Sequence, residues 1–497
     1  MSKTPPTAAG SHFRLAVMLC GGALLGKIAG FIRELIFARL LGASFIADSY
    51  RGAVTASLLP VMPLQADMVF CVLIPLHRQW KVEGRAAQLF TPLIVLFGLI
   101  SSLIALMVCV FADDWVGFIV PGFDPAAHAV TTLLVRVMAL GVPASVMTAC
   151  LSCIEISVGR SRITTLRALV QNIVTIVGVL ALAATARPIT LALSFTSGFW
   201  ILLLVGGYLL WKEDEIAFRY IRLTNGIEAA RIFVKRTRPL FAQPVLDQLN
   251  TLIERFAGSN LGVGSIAALE YSRTLTDTAQ YLVGYPIGYV MLAQEALTGA
   301  QARARVETIA RPLLAVAMPI SLYIVIFSPE MVQIIYQRGA FDAHAVTLTA
   351  GALRGIGCGL WAAVLGYILL RMLSASARNG IVVCVVAAGS MVNILINFLA
   401  TPLFGTFGLG LGETARGVAI LVCVSFALGC SRMILQLVLN LIPALVVVGA
   451  VSYGIRGMML PMLPSLVLAG AAVGVVALFG VRPELVILLR RIWPRPA

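Results

Sequence analysis

Fourteen stretches apolar and long enough to cross a bilayer follow one another along this chain, and nothing else limits its fold as strongly. They run over approximately 15–38, 50–76, 88–111, 129–157, 164–184, 189–211, 237–258, 265–293, 309–328, 346–373, 380–402, 408–429, 433–453 and 460–481, with charges interrupting the eighth and tenth. A hydrocarbon core of about 30 Å takes roughly 20 residues of apolar helix. Backbone in lipid must satisfy its own hydrogen bonds, which a helix does. With 60% hydrophobic and 12% charged residues, the sequence reads as an all-α polytopic membrane protein.

The net charge of +15 has a distribution that argues against nucleic-acid binding. Basic residues gather in alternate loops: Arg78, Lys81 and Arg85; Arg160 and Arg162; seven between Lys212 and Arg238; Arg303, Arg305 and Arg311; then Arg378, Arg432 and the C-terminal tail. The opposite loops are sparse or acidic, as at Asp113, Asp114 and Asp124. This is the positive-inside pattern, and it implies an even span count with both termini cytoplasmic. The first apolar run is too long for a signal-peptide core and lacks a cleavage site, so it reads as an uncleaved helix. Cys150 and Cys153 form a CxxC inside a span without a second pair, and the four histidines are scattered. No metal centre is expected. No GxxxxGK[ST] loop occurs, so direct ATP drive is not expected.

Ionisable groups inside the spans carry the functional signal, since each costs about 2.5–3.5 kcal/mol at the bilayer centre and such groups face a bundle interior or an aqueous cavity. The densest run is residues 26–51, with Lys27, Arg33, Glu34, Arg39, Asp48 and Arg51. Lys27 and Glu34 are two turns apart and share a face. In the second span Pro60 and Pro63 interrupt the helix, and Asp67 reads equally as a cavity carboxylate or a structural partner of Lys27 or Arg33. Asp247 and Glu254 are co-facial in the seventh span, beside Gln248 and Asn250. Glu270, Arg273 and Asp277 form one stripe in the eighth. That stripe is either a self-neutralising ladder or an arginine held by two carboxylates at a cavity wall, and the second reading is preferred. Glu413 and Arg416 read as an interfacial anchor, Arg136 as a residue snorkelling outward, and the nearly uncharged last two spans as lipid-facing.

A faint internal echo links GRSRITTLRALVQN at the fifth span to SARNGIVVCVVAAGSMVN at the eleventh. Six-span repeats are a common transporter plan. The division expected is an N-terminal lobe over 1–211, a basic cytoplasmic linker over 212–236, a C-terminal lobe over 237–429, and two further helices with a basic tail over 430–497.

The sequence GKIAGFIRELIFARLLGASFIADSY, with DQLNTLIERFAGSNLGVGSIAALEYSRTL, YQRGAFDAHAVTLTAGALRGIGCGL and NILINFLATPLFGTFGLGLG, resembles the MurJ/MviN family of lipid II flippases, within the superfamily of multidrug, oligosaccharidyl-lipid and polysaccharide exporters. The resemblance implies fourteen helices: two six-helix lobes around a central cavity, plus two C-terminal helices. It implies substrate-binding roles for Lys27, Arg33 and Arg273, with Arg39, Asp48 and Arg51 at the helix 1–2 turn. Glu34, Asp67, Glu254, Glu270 and Asp277 become cavity or coupling carboxylates. Val61 and Met62 stand where the family has paired arginines, Arg51 replaces an aromatic, and Ser272 replaces an acid before Arg273.

The implied activity is alternating-access transfer of an undecaprenyl-diphosphate-linked saccharide, such as a lipid II-like peptidoglycan precursor, across the bacterial inner membrane. No enzyme chemistry or cofactor is implied; the drive would be a coupling cation (Na+ or H+) or the membrane potential. Expected partners are the lipid-linked saccharide, membrane lipids and cell-wall or polysaccharide synthesis proteins. Four alternatives stay open. They are an exopolysaccharide or O-antigen unit on the same carrier, a cation-coupled drug antiporter, a membrane-embedded transferase and a non-transporting scaffold. The cationic residues weigh against the antiporter and the short loops against the transferase.

Overall fold

Every regular element in the computed structural model is helical among the residues it describes, which are 8–65, 67–238, 242–280, 284, 287, 299–376, 378–458 and 461–475. The chain divides into two compact units, Met1–Phe256 and Ala257–Ala497.

The first unit contains α1 (Ala8–Leu41), α2 (Phe45–Leu58), a 3-10 segment (Leu59–Leu64), α3 (Asp67–Val82), α4 (Ala86–Val110), α5 (Ala112–Ile119), α6 (Pro125–Ala139), α7 (Val142–Ser157), α8 (Arg162–Thr185), α9 (Ile189–Lys212) and α10 (Leu223–Thr237). Helix α11 (Ala242–Ser259) crosses the boundary. The second unit holds α12 (Ser265–Ala279), α13 (Gly299–Tyr336), α14 (Ala343–Gly357), α15 (Leu360–Ala375), α16 (Asn379–Phe404), α17 (Thr406–Ala427) and α18 (Ser431–Gly457), then α19 (Met462–Val475). Basic residues 212–236 include α10, which is not a loose connector: Ala229 and Phe233 are buried, and Phe233 meets Phe97 of α4 edge-on at 5.2 Å.

Among the described residues seven helices can cross a membrane alone, and ten spans result when three bent pairs each count once. The other four expected spans fall on α1, α11, α12 and α19. Parts of α1, α12 and α19 lie at the edge of the described residues, and α11 carries several charges. Three of the spans are broken: 50–76, where the sequence already places interrupting prolines, by 42°, and 129–157 and 346–373, read as continuous, by 47° and 48°. The ninth is longer than 309–328, because α13 runs from Gly299 to Tyr336 through a kink at Phe327.

Each break has a local cause. Pro60 and Pro63 remove amide donors and tighten the chain into the 3-10 segment. Between α6 and α7, Gly141 lies so close to α9 that a Cβ there would sit 3.0 Å from Thr196 Cα. Thr196 Oγ1 donates to the Val137 carbonyl (2.9 Å) and Trp200 Nε1 to that of Leu140 (3.0 Å). Between α14 and α15, a Cβ on Gly359 would sit 2.7 Å from Thr414 Cα, and Thr414 Oγ1 donates to the Gly355 carbonyl (2.6 Å). Carbonyls released by a bend in a membrane helix need such donors.

Loop cations that read as topology signals also make contacts. Arg162 donates to buried Glu155 (2.6 Å) and to Glu213 (3.0 Å); Arg160 bonds Glu213 and Lys81 bonds Glu215. The other Glu155 oxygen accepts from the Ile163 amide at 2.6 Å, an anion placed at the N-terminus of α8. Helix α18 is the least covered of the apolar helices, with 11% of its most apolar stretch buried against 28–44% in the other six, as a lipid-facing helix requires.

Candidate functional site: guanidinium–carboxylate clusters in each unit

In the first unit the cluster centres on Glu34 of α1, 5% exposed. Its Oε1 accepts from Arg33 Nη2 at 2.6 Å and its Oε2 from Arg51 Nη2 at 2.7 Å. Adjacent helix positions project about 100° apart, yet the long Arg33 side chain folds back onto its neighbour. Arg51 comes from α2, and its guanidinium also lies 5.3 Å from the Phe37 ring centroid, a cation–π contact. Phe37 in turn meets Tyr50 at 5.3 Å. One buried carboxylate thus faces two guanidinium groups, one of them braced by an aromatic pair.

The turn of helix joining α2 to α3 lacks the arginines that the family resemblance led one to expect, with Val61 buried and Met62 partly exposed. Guanidinium groups reach this region from elsewhere in the unit. Arg255 Nε of α11 donates to Thr55 Oγ1 at 3.1 Å. Arg167 Nη2 of α8 donates to Gln65 Oε1 at 3.2 Å, and Gln65 Nε2 donates to Ser145 Oγ at 2.8 Å. Neither arginine stood out in the sequence as a site residue. Arg255 sits beside the more conspicuous Glu254, and Arg167 lies near the cytoplasmic end of a span that otherwise reads as structural.

The remaining sequence candidates of this unit lie on α1, α2, α3 and α11. Lys27 and Arg39 are exposed on α1. Asp48 is buried in the first turn of α2, beside the Ser44 cap whose Oγ accepts from Ala47 N, a position where an acid favours the helix. Glu254 is buried and accepts from Asn250 Nδ2 at 2.8 Å. Asp67 opens α3, but its side chain lies outside the described residues.

In the second unit Arg273 of α12 is half-buried. Its Nη1 donates to Glu270 Oε1 at 3.3 Å, and its Nη2 bonds Glu413 of α17. Arg273 thus stands between Glu270 and Glu413, while Asp277, the second acid of the stripe read in the sequence, has an exposed side chain. Glu413, read as half of an interfacial anchor, takes a central position. Only long-range packing could have revealed it, because 140 residues separate it from Arg273. Ser272, beside the arginine, is buried and donates to the Thr349 carbonyl at 2.8 Å.

These arrangements hold cations inside apolar helices at a small net charge. A guanidinium offers two parallel donors to a phosphate as readily as to a carboxylate. Such a pair can exchange one anion for another without exposing a bare charge to hydrocarbon.

The sequence model of the family described as "Lipid II flippase MurJ" matches residues 37–472. A lipid II flippase MurJ of Burkholderia cenocepacia is 24% identical over 442 residues, covering 80% of each chain. The solved structure titled "Lipid II flippase MurJ, inward closed conformation" superposes with a TM-score of 0.80 at 16% identity, over 94% of this chain and all of that one. An inward-facing multidrug-resistance transporter of the MATE family, from the MOP superfamily, gives 0.64 at 12% identity, over 83% of this chain and 95% of that one. At such identities the structural likenesses establish a shared fold.

Proposed function

The chain belongs to the MurJ family of lipid II flippases, and from that premise we propose that it moves an undecaprenyl-diphosphate-linked saccharide, lipid II in the first instance, across the inner membrane by alternating access. The observation that carries the reading is Arg273 suspended between Glu270 and Glu413. Moving a diphosphate through hydrocarbon unpaired is prohibitive. The arriving diphosphate displaces a carboxylate from Arg273 and takes over its bidentate donors, and the released acid becomes free to take up a proton or a coupling cation. Arg33 and Arg51 around Glu34 repeat the same chemistry in the first unit. Both termini face the cytoplasm, in keeping with the alternation of basic loops. The membrane potential adds about 2.3 kcal/mol per charge per 100 mV.

A second cargo, an exopolysaccharide or O-antigen unit on the same carrier, is favoured by one observation. Val61 and Met62 occupy the 3-10 segment where the family pattern has arginines, and the guanidinium groups nearby come from Arg167 and Arg255. The test is complementation of cells depleted of their own lipid II flippase. Restored growth with outward-accessible lipid II identifies that cargo. Failure by a well-inserted protein, with polysaccharide export lost on deletion in the native host, identifies the second.

A further inference from the structure

Helix α10 sorts its cations into two groups. Arg236, turned to α3, binds protein: its Nη2 donates to Gln79 (2.9 Å), while the helix's own acid, Glu228, is taken by Arg85 ahead of α4 (3.0 Å). Arg231, Lys235 and Arg238 are exposed, and among the described residues no carboxylate pairs with them. These three rim a groove of about 610 Å³ whose apolar side is Leu96 of α4 with Ile227 and Val234 of α10. Ile227 and Val234 are 47% and 59% exposed, although Phe233 and Ala229 on the adjoining face are sealed against the protein. The spacing 227, 231, 234, 235, 238 follows one stripe of the helix.

We propose that this groove is a binding site for an anionic phospholipid of the adjacent leaflet. Its headgroup phosphate sits among Arg231, Lys235 and Arg238, and an acyl chain lies over Leu96, Ile227 and Val234. An apolar strip beside three cations without acidic partners fits an amphiphilic anion and suits neither a free ion nor a neutral lipid. The groove lies against α4 at Leu96, about three turns from its first residue Ala86, so an acyl chain laid over Leu96 continues along an apolar helix of span length. Helices that lie in the interface bind by this sum of buried apolar area and attraction to anionic lipid. The lipid would hold α10 to the membrane surface whatever cargo the protein carries.

The experiment is native mass spectrometry of the purified full-length chain titrated with phosphatidylglycerol or phosphatidylcholine. The comparison variants are R231Q/K235Q/R238Q and, as a control that removes two cations outside the groove, R219Q/R222Q. Each Lys or Arg near an anionic surface contributes close to a factor of five. The triple variant is therefore expected to lose about a hundredfold in phosphatidylglycerol affinity, while the control stays within about twofold. The substituted side chains are exposed, so an unchanged unfolding temperature in phosphatidylcholine nanodiscs certifies the fold. Equal binding by the triple variant overturns the site. So does an equal loss in the control, which would signal diffuse attraction. Competition by glycerophosphoglycerol as strong as by the intact lipid removes the acyl half of the proposal, and preference for undecaprenyl diphosphate over phosphatidylglycerol overturns the phospholipid assignment.

Discussion

Thr196 and Thr414 stand 218 residues apart and perform the same task in the two units: each hydroxyl donates to a carbonyl four positions before the glycine at which a span bends. Val137 and Gly355 (the acceptors) and Gly141 and Gly359 (the bend glycines) keep the same 218-residue separation. So do the capping aspartates, Asp124 and Asp342, whose side chains accept from Ala127 N and Ala345 N. The bends agree within a degree, 47° and 48°. An internal repeat with a shared register accounts for this correspondence.

Removing the second hydroxyl while keeping its volume, as in Thr414→Val, leaves a Gly355 carbonyl without its side-chain donor. The expected loss is about 1–3 kcal/mol of stability, read as a lower unfolding temperature in nanodiscs. Thr196→Val loses a comparable amount if the two bends are equivalent, and a neutral result at either site contradicts the capping role.

Glycine substitutions separate contact from conformation. Gly359→Ala puts a Cβ 2.6–2.7 Å from Thr414 atoms, and is expected to destabilise by about 1–3 kcal/mol through overpacking. Gly207→Ala in α9 meets nothing within 4 Å and is expected to gain about 0.5–1 kcal/mol from helix propensity. Opposite signs in thermal unfolding are the outcome required.

Much of this was legible in the sequence. Apolar runs located the helices, a two-turn spacing from Lys27 singled out Glu34, and the stripe Glu270, Arg273 and Asp277 singled out Arg273. What stayed hidden depends on packing. Phe123-Asp124 and Phe341-Asp342 each lead into an Ala-His-Ala-Val segment, and Arg136 and Arg354 each follow their aspartate by twelve positions. This repeat is sharper than the one noticed at the fifth and eleventh spans. The bends between α6 and α7 and between α14 and α15 escaped because a glycine inside an apolar run is compatible with a straight helix until a neighbouring helix presses on it. Glu413 escaped because its partner lies far away in the chain.

Breaking the buried Glu34 cluster tests its structural side. Arg51 and Glu34 side chains are 9% and 7% exposed, and removing one partner of such a pair typically costs about 3–5 kcal/mol. Arg51→Ala should show a loss of that order, and adding Glu34→Ala should cost much less than the sum of the single changes. Additive losses in a double-mutant cycle would contradict a direct pair.

At the membrane surface, hydrogen bonds from Arg162, then the nearby Arg160 charge, hold the Glu213 carboxyl below its ordinary value. A depressed folded-state value means that the brace stabilises fully above the ordinary carboxylate range and is lost as pH falls through the lowered value. Unfolding temperature should therefore drop on acidification below about pH 4, and Glu213→Gln should flatten that part of the profile. An unchanged slope in the variant would show that the brace does not contribute.

If a guanidinium suspended between carboxylates receives the diphosphate, transport depends on Arg273. In cells depleted of their own lipid II flippase, lipid II accessibility at the outer face is measured with the wild-type chain, Arg273→Ala and Arg273→Lys at matched membrane levels. Outward accessibility is expected with the wild type, none with Arg273→Ala, and at most weak recovery with Arg273→Lys, which keeps the charge but loses the bidentate fork. Full accessibility with Arg273→Ala would contradict that dependence.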